Sequence, residues 1–119
     1  MSFGTFYPEI MNRLKEGSIK NVGLYGENLD RSLRPYVTVK PIAGGDRKLL
    51  QMIVHCELGM HEKLEEYVLR ELPRLLEEPL KANGKKTTAR STGVWYGPYV
   101  DEGDNTLAMS RDFYIPIIL

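Results

Sequence analysis

The first periodic stretch of the chain, from about Phe6 to Glu16, has the spacing of a short amphipathic helix. Phe6, Ile10 and Leu14 recur every four residues, which places them on one face of a helix. Gly17 follows the last charged residues and supplies the expected end of the helix.

A longer helix is predicted from about Met60 to Glu78. Charged residues, most of them glutamates, surround one apolar stripe, which consists of Leu64, Val68, Leu72, Leu75 and Leu76. Pro73 lies inside this pattern. Proline has no N–H and its ring crowds the carbonyl four residues earlier, so we expect the helix to kink or break near Leu72.

Two stretches in the middle of the chain alternate between apolar and polar residues, as strands with one buried face do. Tyr36 to Lys40 alternates and is ended by Pro41, which cannot donate to a sheet ladder. From Leu50 to Leu58 every even position is apolar. The turn residues Gly44-Gly45-Asp46 between them predict a hairpin.

The C-terminal part of the sequence predicts two further strands. Val94 to Val100 is rich in aromatic and β-branched residues but is interrupted by Gly97-Pro98. After an acidic turn at 101–105, the odd positions from Leu107 to Leu119 are apolar, with Arg111 as the exception. These positions predict a long final strand.

These elements, with a weaker strand from Ile19 to Tyr25, predict an α+β fold with a mostly antiparallel sheet of four or five strands packed by two helices. A chain of 119 residues is the usual length of one domain, so residues 1–119 are assigned to a single domain. The apolar fraction of 42% and the charged fraction of 27% are those of an ordinary folded protein.

The charge balance and the single cysteine restrict the classes of partner. Sixteen basic and sixteen acidic residues give no net field that would attract nucleic acid or an anionic membrane, so we expect neither a membrane nor a specific nucleic acid as partner. Cys56 alone cannot build a disulfide or a cysteine-based metal site. The N-terminus lacks the pattern of a signal peptide, which favours a cytoplasmic protein.

Residues 81–93 carry cations among small polar residues without one acidic residue, and we interpret them as a mobile loop or arm. Three roles remain open: a solvated loop, a segment that meets phosphates, or a contact with the acidic face of a neighbouring subunit. The glutamate-rich main helix offers such a face, and opposite patches on one chain favour head-to-tail contacts. The candidate contact residues are Lys81, Lys85, Lys86, Arg90, Arg47, Lys48, Glu65 and Glu66.

No catalytic or metal-binding constellation is recognisable, so we expect neither an enzyme nor a cofactor. His55 is predicted to be half-exposed on a strand, and His61 to precede the main helix. Mixed ligation of a metal by these histidines with Glu57 or Glu62 fits no established spacing. Cys56 lies on the apolar side of its strand, which favours burial over reactivity.

The order of these elements resembles the tail terminator and tail-completion proteins of long-tailed bacteriophages, including the lambda-type minor tail protein. The segments that carry the resemblance span nearly the whole chain. They are Phe6 to Leu14, Pro35-Tyr36-Val37-Thr38-Val39, Leu50 to Leu58 with Glu62 to Leu76, and Tyr99 to Leu119 with its acidic turn.

The resemblance implies a non-catalytic protein of a phage or prophage that forms a hexameric ring. Such a ring caps the tail tube and joins it to the head connector, so the implied partners are other copies of the chain, the tail tube and the connector proteins. The implied location is the host cytoplasm during assembly and then the tail of the virion. The alternatives are a ferredoxin-like small-molecule-binding or regulatory domain and, last, an enzyme that uses His55 with a carboxylate.

Overall fold

The computed structural model of the chain describes residues 6–42 and 47–116. The predicted turn at 44–46 and the last residues of the final strand lie outside this part. The elements are, in chain order, α1 (Tyr7–Lys15), β1 (Asn21–Leu24), β2 (Tyr36–Ile42), β3 (Arg47–Cys56), α2 (residues 61–75), β4 (Leu80–Ala82), β5 (Lys85–Thr87), β6 (Arg90–Asp101) and β7 (Thr106–Pro116).

Five of the strands form one sheet in the order β1-β2-β3-β7-β6. β2, β3, β7 and β6 pair antiparallel, whereas β1 runs parallel to β2. The predicted α+β fold, with a mostly antiparallel sheet and two helices, is therefore confirmed, and the parallel β1 makes the sheet mixed. β4 and β5 form a separate hairpin.

Both helices contribute their apolar stripes to one core against the sheet. Ile10 and Leu14 of α1 are fully buried, as are Val68 and Leu72 of α2. The sheet meets them with alternate residues of its strands, and each large apolar side chain buried in this way stabilises the fold by about 1.5–3 kcal/mol. These strand residues are Val37, Val39, Leu50, Met52, Val54, Leu107, Met109, Phe113 and Ile115.

Pro73 does not end α2, which continues past the expected position of a kink or break near Leu72 but changes its hydrogen-bonding pattern just before that residue. The helix is α-helical over His61–Glu66, widens into a π-helical turn over Tyr67–Glu71 and ends with the α-helical segment Leu72–Leu75. Because Pro73 has no N–H, it cannot donate to the carbonyls four and five residues before it. The side chain of Arg111 on β7 donates to both of these carbonyls instead.

Residues 81–93 form regular structure where the sequence predicted a loop or arm. β4 and β5 are joined by Asn83 and Gly84, both with positive φ, as a tight two-residue hairpin turn requires. Leu80 and Thr87 are buried at the base of the hairpin, and the Thr87 hydroxyl donates to the Pro116 carbonyl oxygen at 2.8 Å. These contacts attach the hairpin to the end of β7.

Candidate assembly interface

The outermost strand β6 exposes an unusual number of large apolar side chains. β6 pairs with β7 on one side, and among the described residues no strand pairs with its other edge. The exposed fraction is 49% for Trp95 and 54% for Tyr96. Long exposed apolar edge strands are avoided in proteins that stay monomeric, since they pair with other chains. The exposed side chains of this apolar edge are Val94, Trp95, Tyr96, Tyr99 and Val100.

The course of β6 depends on Gly97. The register between β6 and β7 shifts between Ser91 and Trp95 and again between Tyr96 and Tyr99. Gly97 lies inside the second shift with φ of 103°, and a Cβ there would stand 2.9 Å from the Ala108 carbonyl oxygen. Only glycine tolerates both this positive φ and the close contact with the Ala108 carbonyl oxygen. The sequence pattern was interpreted as an interruption at Gly97-Pro98, whereas the structure has a bulge there within a continuous strand.

One end of the sheet collects the predicted cationic contact residues. The strand register places Arg47 opposite Pro116, Lys48 opposite Ile115 and Arg90 opposite Tyr114. The β4–β5 hairpin is attached at the same end through Thr87, and it carries Lys81, Lys85 and Lys86 with exposed side chains. No acidic residue lies between Pro79 and Val100. We call this set of six cationic residues the basic end.

The opposite end of the sheet is rich in carboxylates and contains an open groove of about 730 Å³. The groove lies between α2 and the last residues of β3, with Val54 and Leu64 among its apolar lining. Arg34 reaches the rim and forms an ion pair with Glu57 at 3.5 Å. The carboxylates that line the groove are Glu57, Glu62, Glu66 and Glu71.

The predicted contact residues Glu65 and Glu66 differ in position although they are neighbours on α2. Both side chains are exposed. Glu66 lines the groove and pairs with Arg70 at 3.6 Å, whereas Glu65 does not line it. For Arg47 and Lys48 the structure describes the backbone in β3 and not the side chains.

A buried polar cluster lies at the same end of the sheet as the groove, and sequence reasoning missed it. His55 is only 7% exposed, not half-exposed as predicted, because its ring stacks on Tyr36 at 4.6 Å between centroids. Its Nε2 lies 3.1 Å from an Asp101 carboxylate oxygen. The Tyr36 hydroxyl donates to Asp104, and Arg31 lies 3.4 Å from the same carboxylate. The β6–β7 turn thus folds its two aspartates over the end of β2 and β3.

The electrostatics of this cluster keep His55 neutral and Asp104 charged near neutral pH. Burial lowers the pKa of His55, and this effect outweighs the attraction of the Asp101 carboxylate. The bond from Tyr36 lowers the pKa of Asp104, and burial raises the pKa of the Tyr36 hydroxyl. Within the part of the chain that the structure describes, His55 Nδ1 has no hydrogen-bond partner.

The cluster bears on both chemical alternatives considered for the sequence. The potential metal-ligand atoms of His55, Asp101 and Asp104 lie within 4.8 Å of one another. This group shares only His55 with the metal-ligand set considered from the sequence, which combined the two histidines with Glu57 or Glu62. His55 meets a carboxylate, as the enzyme hypothesis requires, but it does not line the groove. Asp104, in the turn between β6 and β7, accepts hydrogen bonds from Arg31 and Tyr36.

Cys56 is buried as predicted. Its side chain is 8% exposed, and burial raises the pKa of its thiol above the ordinary value. A protonated thiol is a poor nucleophile and a poor metal ligand. The residue therefore acts as a small apolar side chain of the core.

Comparison with known proteins supports the fold and leaves the function open. No family model and no curated protein matches the chain. Eight chains of solved structures match. One of them superposes with a TM-score of 0.70 at 14% sequence identity, over 98% of this chain and 92% of the other. No helix in the described ranges is both long and apolar enough to span a membrane.

Proposed function

We propose that this chain is a structural subunit that assembles with copies of itself into a ring in the tail of a long-tailed bacteriophage. In this proposal the ring is hexameric, caps the tail tube and joins it to the head connector. The subunit acts without a cofactor and has no catalytic role. It is made in the host cytoplasm and ends in the virion.

The observation that carries the proposal is the apolar edge on β6. Burial of its exposed side chains would contribute about 25 cal/mol for each Å² removed from water, which favours a covered state over the isolated subunit. Aromatic residues are also enriched in the cores of protein interfaces. An assembly subunit needs such an edge, whereas a monomer in solution risks aggregation through it. The resemblance in element order adds the phage tail to this argument.

The first experiment measures the oligomeric state. We expect light scattering after size exclusion to show six subunits, or a mass that rises toward six with concentration. Trp95→Ser combined with Tyr96→Ser should shift the protein to the monomer, because it removes the centre of the apolar edge. Leu33→Ser is the matched control, since Leu33 is 60% exposed but lies in the loop before β2.

Two results would contradict the proposal. One is a strict monomer at millimolar concentration, and the other is an oligomer that the Trp95 and Tyr96 substitutions leave unchanged. The phage part has its own test, because genes for capsid and tail proteins should stand beside the gene of this chain. Metabolic genes in their place would oppose it.

The groove favours a second candidate function, the binding of a small molecule by a regulatory domain. Its volume of about 730 Å³ falls in the range of ligand pockets. The chain order differs from the β-α-β-β-α-β order of ferredoxin-like domains, because α1 precedes β1 and three strands separate the helices. A monomer whose amide resonances around Leu64 shift with a ligand would favour this function.

A further inference from the structure

We infer that the β4–β5 hairpin of one copy docks into the acidic groove of the next copy. This inference rests on the proposed self-assembly and adds a second contact between subunits to the one through the apolar edge of β6. The hairpin and the groove lie at opposite ends of the same strands: the hairpin is attached near Pro116 of β7, and the groove begins at Cys56 of β3, which pairs with Leu107 at the start of β7.

The charges of the two surfaces are complementary. Lys81, Lys85 and Lys86 are exposed, and none of them forms an ion pair with an acidic side chain of the described residues. The groove is lined by four carboxylates and by Arg34 and Lys63, so its lining carries an excess of negative charge. Within the subunit Glu57 pairs with Arg34, Glu66 pairs with Arg70 and Glu71 accepts from Ser18. Complementary charge fixes the register of an interface and suppresses wrong contacts.

The shapes of the two surfaces also agree. The hairpin turns through only two residues, Asn83 and Gly84, so its tip is narrow. Lysine side chains lay their methylene stems on apolar surface and keep the ammonium group at the polar margin. The lining of the groove has both parts that such side chains need: Val54 and Leu64 are buried apolar residues, and Glu57, Glu62 and Glu66 are exposed.

The position of the two surfaces on one chain sets the symmetry of the contact. Two different patches meet, so the contact is head-to-tail, and repetition of it builds a ring when the rotation closes. Each subunit then uses its hairpin once and its groove once. No surface of either kind is left over in a closed ring.

The experiment exchanges charges between the two surfaces. Variant A carries Glu62→Lys and Glu66→Lys in the groove, and variant B carries Lys85→Glu and Lys86→Glu in the hairpin. Each variant alone brings like charges together at every contact, and we expect its dissociation constant to rise by about tenfold or more. An equimolar mixture of A and B has complementary charges at both kinds of contact, because the groove of A meets the hairpin of B and the groove of B meets the hairpin of A.

We therefore expect the mixture to assemble where neither variant does, with alternating A and B and equal amounts of each by mass spectrometry. Glu66→Lys and Glu65→Lys are the matched single variants. They make the same change at neighbouring exposed positions, and only Glu66 lines the groove. Glu66→Lys should weaken assembly, and Glu65→Lys should leave it unchanged.

The unmodified protein gives a check that does not depend on the folding of any variant. Its assembly should weaken when the ionic strength rises from 0.05 to 0.5 M, because salt screens exposed charges. If the unmodified protein assembles and variant A, variant B and their mixture assemble equally well, the hairpin contact is refuted and the proposed function stands. An unmodified protein that stays monomeric would remove both.

Discussion

The contact between Arg111 and the π-helical turn of α2 gives the sharpest test of how this fold is stabilised. Arg111 Nη1 donates to the carbonyl oxygens of Val68 and Leu69, each at 3.2 Å. Both carbonyls would accept from the N–H of residue 73 if that residue were not proline. Val68 lies five residues before Pro73, which is the π-helical spacing, and Leu69 lies four residues before it, which is the α-helical spacing. Substitution of Arg111 by methionine keeps the apolar stem and removes the donor.

The expected loss follows from the contacts that disappear. Hydrogen bonds from a charged donor contribute about 1.5–3 kcal/mol each when they are well shielded. The bond to the Val68 carbonyl is partly shielded, whereas the bond to the Leu69 carbonyl and the two bonds to Ser91 Oγ, at 3.0 and 3.1 Å, are exposed. Discounting for water access, we expect Arg111→Met to lower the free energy of unfolding by about 2 kcal/mol.

Urea unfolding of a double-mutant cycle separates this role from simple loss of charge. Alanine at position 73 supplies an N–H to one of the two carbonyls, so Arg111→Met should cost about 1 kcal/mol less in a Pro73→Ala background. Arg70→Met is the control, because Arg70 is 77% exposed and its pair with Glu66 contributes little. Equal losses for Arg111→Met in both backgrounds, or a loss no larger than that of Arg70→Met, would refute the reasoning.

Two further predictions concern the polar cluster and β6. The pKa of His55 is lower in the folded protein than in the unfolded chain, so stability should fall as the pH drops below about 6.5. His55→Phe keeps the stacking on Tyr36 and should reduce this pH dependence, measured by thermal unfolding between pH 7 and 5. An unchanged slope would assign the pH dependence to other groups. Gly97→Ala should lower the free energy of unfolding by about 1–2 kcal/mol because of its positive φ, and further because the new Cβ clashes with the Ala108 carbonyl oxygen. A Cβ at Gly93 meets open space, so Gly93→Ala should show only the loss that comes from the positive φ. Equal midpoints for the two alanine variants would exclude the clash.

The elements that the sequence predicted best are those whose pattern reflects one shared core. Alternation in β3 and in β7, and the four-residue spacing in α1, record which side chains leave water, and the structure buries those residues. The ends of these elements were less certain. Leu58 continues the alternation of β3 but is exposed after the strand has ended at Cys56, because alternation alone does not show where pairing stops.

The hairpin at 80–87 was missed although the sequence contains its signal. Asn83-Gly84 is a typical two-residue turn, but the flanking strands are three residues long and half of their residues are lysine, so they are too short and too polar to show apolar alternation. The buried cluster was missed for a different reason. His55 and Asp101 are far apart in sequence, and only the register of β3, β7 and β6 brings them together.

The fold places the two charged patches that the sequence indicates at opposite ends of the sheet, and it adds to each patch residues that are distant in sequence. Antiparallel strands return to the same two ends of the sheet, so residues far apart in sequence, such as Lys48, Lys86 and Arg90, collect at one end, while Glu57 and Glu62 collect at the other. Within one subunit these ends stand at opposite ends of the strands and gain little from each other, since salt screens exposed charges over about 8–10 Å. In the contact that we propose between two copies, these charges meet. A net charge of zero is compatible with two oppositely charged ends on one subunit, which is the arrangement that a head-to-tail contact requires.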